Sequence, residues 1–310
     1  MNAQQAMLRT AQAKTILPAF NIPYLPMMEP VVQAIRDENA AAMIQVARLE
    51  WEKFDSKSLE AVAAEYEKYA TEHTFLHLDH VPVIDEDQRE VDYLPIILRA
   101  VQAGYQSVMI DGSRLPLEGN ISATAKVSEL AHRSGVAVEA ELGAVAGHEA
   151  GGIGMDYETL FTTKKGFTDP AQARVFAAQS GCDWLSVAAG SIHGAIADGL
   201  RRQKKPEARL DIAQIAALFE ATGHMPLVLH GGSGIRREYI LNAVRNGISK
   251  INVATEIRQP YETAMEEKPG DILFAQQQVY ERTRWVLREF LGISGSANVI
   301  FSEITETAGK

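Results

Sequence analysis

The stretch Leu227-Val228-Leu229-His230-Gly231-Gly232-Ser233-Gly234 carries the pattern on which the fold turns. A short apolar run ends in a histidine, a glycine-rich turn follows, and helical periodicity takes over across Arg237–Asn246. Apolarity sustained over a strand-length segment is what a parallel strand covered on both sides requires. Working outward from this run, Leu227–Gly232, the same grammar recurs. Further runs lie at Ile16–Asn21, Ala41–Ala47, Phe75–His80, Ser107–Ser113, Val136–Gly143, Trp184–Gly190 and Lys250–Thr255, most of them rich in Val, Ile, Leu or Phe. Between them, helical spacing covers Met28–Glu38, Ser58–Thr71, Leu94–Ala103, Ile121–Ser134, Asp169–Ser180 and Asp211–Thr222. Thr168-Asp169-Pro170 places a capping side chain and a proline at a helix entrance. Gly104, Gly135, Gly181, Gly223 and Gly247 each stand where a helix should close. Eight strand–helix units with right-handed crossovers predict an α/β fold, a (β/α)8 TIM barrel. An open doubly wound sheet is the competing arrangement, and the count of eight favours the barrel.

The 310 residues leave room for two domains, but no long Pro/Gly/Ser linker divides them. The expectation is a single domain over 1–310, with an extra C-terminal helix at about 261–292 and a short tail. Forty acidic against thirty basic residues give a net charge of −10, which argues against a general grip on nucleic acid or an anionic membrane. A local basic pocket for a phosphorylated metabolite stays compatible with that balance. The single cysteine, Cys182, excludes an internal disulfide and a Cys-rich zinc module and suits a reducing, cytoplasmic setting. The polar segment Met1–Thr15 reads as a first helix of the domain, and no apolar run reaches membrane-spanning length. Two irregular stretches, Ala144–Phe167 and Arg201–Arg209, are too long for tight connections and read as functional loops or lids.

In a barrel, chemistry gathers at the C-terminal ends of the strands, and the polar residues of this chain gather there too. His80, His193 and His230 fall at three separate strand ends, whereas His77 reads as a hydrogen-bonded core histidine. Three imidazoles with an open fourth position describe a catalytic zinc site. Asp79 stands beside His80 and serves either to orient a histidine or to move a proton. Asp111, Glu139 and Glu141 could bind a second cation or form salt bridges within the barrel. Gly231-Gly232-Ser233-Gly234, together with Thr255 at the entrance of the next helix, points to a bound phosphate.

At these residues the sequence resembles the class II, metal-dependent aldolases acting on ketose 1-phosphates and ketose bisphosphates. The words that carry the resemblance are His77-Leu78-Asp79-His80, Ile110-Asp111-Gly112-Ser113, Val138-Glu139-Ala140-Glu141-Leu142-Gly143, His193-Gly194, Leu229-His230-Gly231-Gly232-Ser233-Gly234 and Asn252-Val253-Ala254-Thr255-Glu256. The Asn-Val-Ala-Thr ending is similar to the tagatose-bisphosphate branch. The resemblance implies one catalytic Zn2+ on His80, His193 and His230, supplying Lewis-acid catalysis at the dihydroxyacetone-phosphate carbonyl. It implies that Asp79 exchanges a proton with the hydroxyl formed at the aldehyde carbon, and that Glu149 transfers a proton at the donor carbon. Asp111 and Glu141 match positions that can hold a second, divalent or monovalent, cation. Asn21, Gly194, Gly231, Gly232, Ser233 and the run Asn252, Val253, Ala254 and Thr255 match the contacts to substrate. A small phosphorylated sugar is the implied partner, in a homodimer or homotetramer.

The departures cluster at the aldehyde end. Strand two ends Gln45-Val46-Ala47-Arg48-Leu49-Glu50, without the serine usual in the family. His193-Gly194 continues as Ala195-Ile196-Ala197-Asp198-Gly199, the mobile loop reads Gly147-His148-Glu149-Ala150, and Gln277 falls where a phosphate-binding arginine is common. An aldehyde other than glyceraldehyde 3-phosphate is therefore expected, so that fructose 1,6-bisphosphate is not the best substrate. Two rival readings are a zinc hydrolase on the same barrel and a catalytically silent partner subunit. The phosphate loop with Asn252 argues against the first, and the three histidines with Asp79 argue against the second.

Overall fold

The strands of the computed structural model, which describes residues 1–143, 157–191, 208–232 and 234–302, close on themselves. They are β1 (Leu17–Asn21), β2 (Ala42–Ala47), β3 (Thr74–Pro82), β4 (Ser107–Asp111), β5 (Ala137–Leu142), β6 (Trp184–Val187), β7 (Leu227–Leu229) and β8 (Ile248–Val253). Each pairs in parallel with the next, and β8 returns to β1, with Leu17 opposite Lys250 and Phe20 opposite Val253. A closed ring has no edge strand, which decides between the barrel and the open sheet.

The helices are α1 (Ala3–Gln12), α2 (Met28–Asp37), α3 (Arg48–Lys53), α4 (Leu59–Tyr69), α5 (Tyr93–Gln102), α6 (Leu117–His132), α7 (Tyr157–Thr163), α8 (Pro170–Ser180), α9 (Ile212–Ala221), α10 (Arg237–Arg245), α11 (Thr255–Glu267), α12 (Ile272–Trp285) and α13 (Ser296–Ile300). Their entrances use the expected chemistry: the Asp169 carboxylate accepts from the Gln172 N–H with Pro170 as the first helical residue. At the other end of α8, Gly181 takes φ of 74°, a left-handed closure open to glycine at little cost. Among the described residues, no helix is long and apolar enough to cross a membrane.

Side chains alternate across each strand, and the two faces differ. Phe20, Ile44, Leu76, Val108, Val138, Leu185, Leu229 and Ile251 join the large core beneath the helices. The alternate positions Leu17, Ala19, Met43, Phe75, Ala137, Trp184 and Val228 form a second cluster with Ala3, Ala6 and Met7 of α1 and Ile300 of α13. That cluster plugs the N-terminal end of the barrel. Further along the same inner face the residues turn polar: Asn21, Gln45, His77, Asp79, Glu139, Glu141, Lys250 and Asn252 are all buried. The runs are thus apolar on the outer face throughout but on the inner face only at the bottom.

Some boundaries differ from the sequence expectation. β3 continues to Pro82, past His80, and β8 stops at Val253, so that Thr255 opens α11. The helical run expected over 261–292 is divided. α11 starts at Thr255 and is capped at Lys268, Gly270 follows with φ of 83°, and the Asp271 carboxylate caps α12 by accepting from the Phe274 N–H. Val279 and Val286 pack into the chain's own core, while Trp285 stacks on Phe290 near the surface. Buried Glu38, at the end of α2, ties down this C-terminal region by accepting from Arg284, Arg288 and Ser294 at 2.7, 2.7 and 2.6 Å.

Candidate active site

Asp79 and His80 are neighbours in a strand, where successive side chains should point to opposite faces. A bulge resolves the conflict. On β3, Leu78 pairs with Val108 and Val81 with Ile110, so Asp79 and His80 together oppose the single residue Met109. His80 takes φ of 31°, rare for a residue with a Cβ, and the turn sends both side chains to one place. The strand itself, not a loop beyond it, makes the pair.

Asp79 is held by three amides. Asn21 and Gln45 donate to its Oδ2 at 3.1 and 3.2 Å, and Asn252 donates to its Oδ1 at 3.0 Å. Gln45 also donates to Asn21 Oδ1 at 2.7 Å, locking that amide. Burial would raise the Asp79 carboxyl, but the nearby charges of His80, His230 and Lys250 hold it at about 2. Asn21 donates to the buried Glu50 at 3.2 Å as well, and burial pushes Glu50 up to about 8 against the hydrogen bond from the Ala47 N–H.

His80 and His230 lie edge to face with ring centres 4.5 Å apart. His80 Nδ1 is 3.3 Å from Asp111 Oδ2 and 3.9 Å from Glu141 Oε2. Asp111 presents that oxygen because its Oδ1 accepts from both the N–H and the hydroxyl of Ser113, at 3.0 and 2.6 Å. His230 follows β7 directly; its Nε2 is 2.8 Å from Glu139 and its Nδ1 is 3.3 Å from Glu141. Burial works against a charge on His80, yet Asp79, Asp111 and Glu141 push it up to about 10. Carboxylates that draw a proton this strongly meet the same need by drawing a metal cation. The donor atoms of Asp79, His80 and His230 lie within 4.8 Å of one another, as do those of His80, Asp111 and Glu141. Imidazole nitrogen with carboxylate oxygen suits a divalent cation such as zinc.

Beneath this cluster sits a lysine that the sequence reading did not assign. Lys250 is fully buried, with its ammonium 3.0 Å from Glu139 Oε2 and 2.6 Å from Asn252 Oδ1. Trp184 Nε1 donates to Glu139 Oε2 at 2.7 Å. Glu139 thus takes the salt-bridge option left open for it, and it orients His230 as well. Gln45 and Glu50 also went unassigned; polar side chains inside apolar strand words, at Gln45 and Lys250, were the available signal. His77 is the core histidine expected: its Nδ1 is 2.8 Å from Ser107 Oγ, and burial reinforced by Lys250 pushes it down to about 3. Its other nitrogen, 3.5 Å from Glu139, nonetheless groups it with Asp79 and Glu139 as a set able to approach a cation.

The remaining expected residues divide. Gly231 has φ of 69°, and a Cβ on Gly232 would meet Ile251 at 2.5 Å, so packing against β8 already demands glycine there. Asn252 reaches the centre through its side chain. Val253 turns its side chain into the outer core, leaving its backbone, with Ala254 and Thr255, at the entrance of α11. Glu149, His193, Gly194 and Ser233 lie outside the described residues.

A parallel barrel with acids, imidazoles and amides converging at the C-terminal rim defines an enzyme of the (β/α)8 class. The family model for class-II fructose-bisphosphate aldolase matches residues 1–299, and the chain belongs to that family. It is an aldolase, a carbon–carbon lyase of a family that is generally metal-dependent. Among solved structures, it is similar to the YdjI aldolase from Escherichia coli K12, at 25% identity over 95% of this chain and 98% of that one, with a TM-score of 0.75. The fold is shared with fructose-bisphosphate aldolase (Fba) from Campylobacter jejuni, at 17% identity over 93% and 94% of the two chains, with a TM-score of 0.70.

Proposed function

We propose that this aldolase is zinc-dependent and reversibly cleaves a ketose 1-phosphate or ketose bisphosphate into dihydroxyacetone phosphate and an aldehyde. The observation that carries the reading is the convergence of Asp79, His80 and His230 through the β3 bulge. His80 and His230, with His193, would hold the ion, and Asp111 and Glu141 offer a second position. The ion, when bound, supplies Lewis-acid polarisation of the ketone carbonyl. Asp79 takes the proton from the hydroxyl on the carbon that becomes the aldehyde, and the carbon–carbon bond beside it breaks. The electron pair stays with the donor carbon, where Glu149 delivers a proton. Three amides keep Asp79 aimed, and the nearby charges of His80, His230 and Lys250 keep it ionised, while this happens.

Asn252, Gly231, Gly232, Ser233, Gly194 and the backbone at Val253, Ala254 and Thr255 are the donor-phosphate and donor-hydroxyl contacts in this reading. Its Asn252–Thr255 ending supports the tagatose-bisphosphate branch, and the altered residues after β2 support an aldehyde other than glyceraldehyde 3-phosphate. The enzyme acts as a cytoplasmic homodimer or homotetramer on a small sugar phosphate, without nucleic acid or membrane. Zinc-loaded protein incubated with dihydroxyacetone phosphate and a panel of aldehydes tests the whole reading by product formation. A fructose 1,6-bisphosphate cleavage rate matching that of the best other substrate would overturn the specificity part, and no aldol product with any aldehyde would overturn the rest.

A further inference from the structure

Asn21 is shared between two carboxyl groups. Its Nδ2 donates to Asp79 Oδ2 at 3.1 Å and to Glu50 Oε2 at 3.2 Å, while its Oδ1 accepts from Gln45 Nε2 at 2.7 Å. A side-chain amide has two N–H groups, one for each carboxyl, so both are committed. All four residues are buried. Turning the amide over would set its oxygen against both carboxyl groups, so Glu50 and Gln45 between them fix the face that Asn21 shows to Asp79.

Glu50 reaches this position from α3. Ala47, just before the helix, has no capping oxygen of its own, and Glu50, the third helical residue, accepts from the Ala47 N–H at 2.8 Å. A helix cap needs only that bond; the one from Asn21 ties the same oxygen to β1 and, through it, to Asp79 on β3. Glu50 belongs to the run Gln45-Val46-Ala47-Arg48-Leu49-Glu50, where the chain departs from the pattern usual in its family. Two charged side chains from other elements act on it: Asp79 of β3, and Arg258 of α11, itself paired with Glu262 at 2.6 Å. Burial, reinforced by Asp79, pushes the Glu50 carboxyl up against the bonds from Ala47 and Asn21 and the Arg258 charge. Near neutrality the two carboxyl groups thus carry one negative charge, on Asp79, and Asn21 has a single strong acceptor.

We propose that Glu50 is a positioning residue for the proton acceptor Asp79, acting through the Asn21 amide that the two carboxyl groups share. The inference rests on the aldolase reading of the centre and adds to it a residue that decides where the acceptor points. While Glu50 is uncharged, Asn21 gives its stronger bond to Asp79. Once Glu50 ionises, it competes for the same amide and draws it away.

The test compares the zinc-loaded full chain with Glu50→Ala and Glu50→Gln in two reactions. One is aldol addition of dihydroxyacetone phosphate to the best aldehyde of the panel, which uses Asp79. The other is exchange of the donor-carbon proton of dihydroxyacetone phosphate with deuterated water, followed by NMR, which does not. Glu50→Ala should lower kcat of addition about tenfold or more, with zinc content unchanged and both KM and the exchange rate within about threefold of the parent. Glu50→Gln keeps the volume and an acceptor oxygen without the charge. Its kcat should match the parent near pH 7 and exceed it about threefold or more near pH 9, since titrations common to both proteins cancel in the ratio. Equal losses of addition and exchange in Glu50→Ala, or a loss confined to KM, overturn the proposal and leave the aldolase reading standing. A Glu50→Gln to parent ratio that does not change with pH does the same, and it decides alone if the alanine variant fails to fold. A parent that forms no product with any aldehyde overturns both.

Discussion

Lys250 Nζ lies 2.6 Å from Asn252 Oδ1, and that contact decides which way the Asn252 amide faces. With its oxygen claimed by the ammonium, Asn252 turns Nδ2 to Asp79, 3.0 Å away. The ammonium also sits 3.0 Å from Glu139, which in turn meets His230 at 2.8 Å. One buried charge thus orients a donor to the proposed base and supports the carboxylate behind a proposed ligand.

Replacing that charge should be costly. Lys250→Met leaves Glu139 buried without its cation, and breaking one side of a buried ion pair costs about 3–5 kcal/mol. Urea unfolding of parent and variant measures the difference. A variant as stable as the parent would show that Trp184 and His230 alone suffice for Glu139.

Asp79 separates chemistry from ion binding. Asp79→Asn keeps the shape and the three-amide neighbourhood but removes the proton acceptor, so turnover should fall ~10²–10⁴-fold. Zinc content by elemental analysis should stay near that of the parent. Asp79→Ala is expected to behave likewise, whereas His230→Ala should lose the ion itself. Full activity in either alanine variant would contradict the assignment.

In the zinc reading, Glu139 would act on the ion through His230. Its contact with Nε2 leaves Nδ1 to face the cluster, and losing such a supporting carboxylate typically weakens metal binding ~10–100-fold. Glu139→Gln should therefore lose zinc to a weaker chelator concentration than the parent. Chelation should abolish parent activity and added zinc restore it. Equal chelator sensitivity of the two proteins would remove Glu139 from that role.

Glu38 links the C-terminal region to acidity. Burial raises its carboxyl, but hydrogen bonds from Ser294, Arg284 and Arg288 hold it below the ordinary carboxylate value. A folded pKa below the unfolded one contributes stability that is present above the unfolded value, about 4.3, and lost as pH falls through the folded value. The stability gap between parent and Glu38→Gln should thus be widest near neutrality and shrink below about pH 4. A gap independent of pH would assign the effect to packing.

Cys182 should be silent. It is buried, and burial pushes its thiol up to about 12, so little thiolate exists to react. A disulfide reagent at pH 8 should label it only after denaturant is added. Rapid labelling of native protein would show that α8 and its neighbours open readily.

The sequence by itself determined the barrel. Eight apolar runs separated by helical periodicity, with Asp169 and Gly181 marking one helix's ends, leave few other ways to bury so many strands on their outer faces. It also named Asp79, His80, Asp111, Glu141, His230 and Asn252 as residues of one rim, because polar groups at the ends of apolar strands are conspicuous. Only the tertiary structure decided how they meet. Strand periodicity alone sends Asp79 and His80 apart, and it takes Met109 on the neighbouring strand, opposed by both, to reveal the bulge that unites them. Lys250, Glu139 and Gln45 were visible as letters but not as a network, since their partners are 111 and 24 positions away in the chain. Closure of the ring brings such distant inward-facing residues together, and a polar group buried there must find its partner across the barrel.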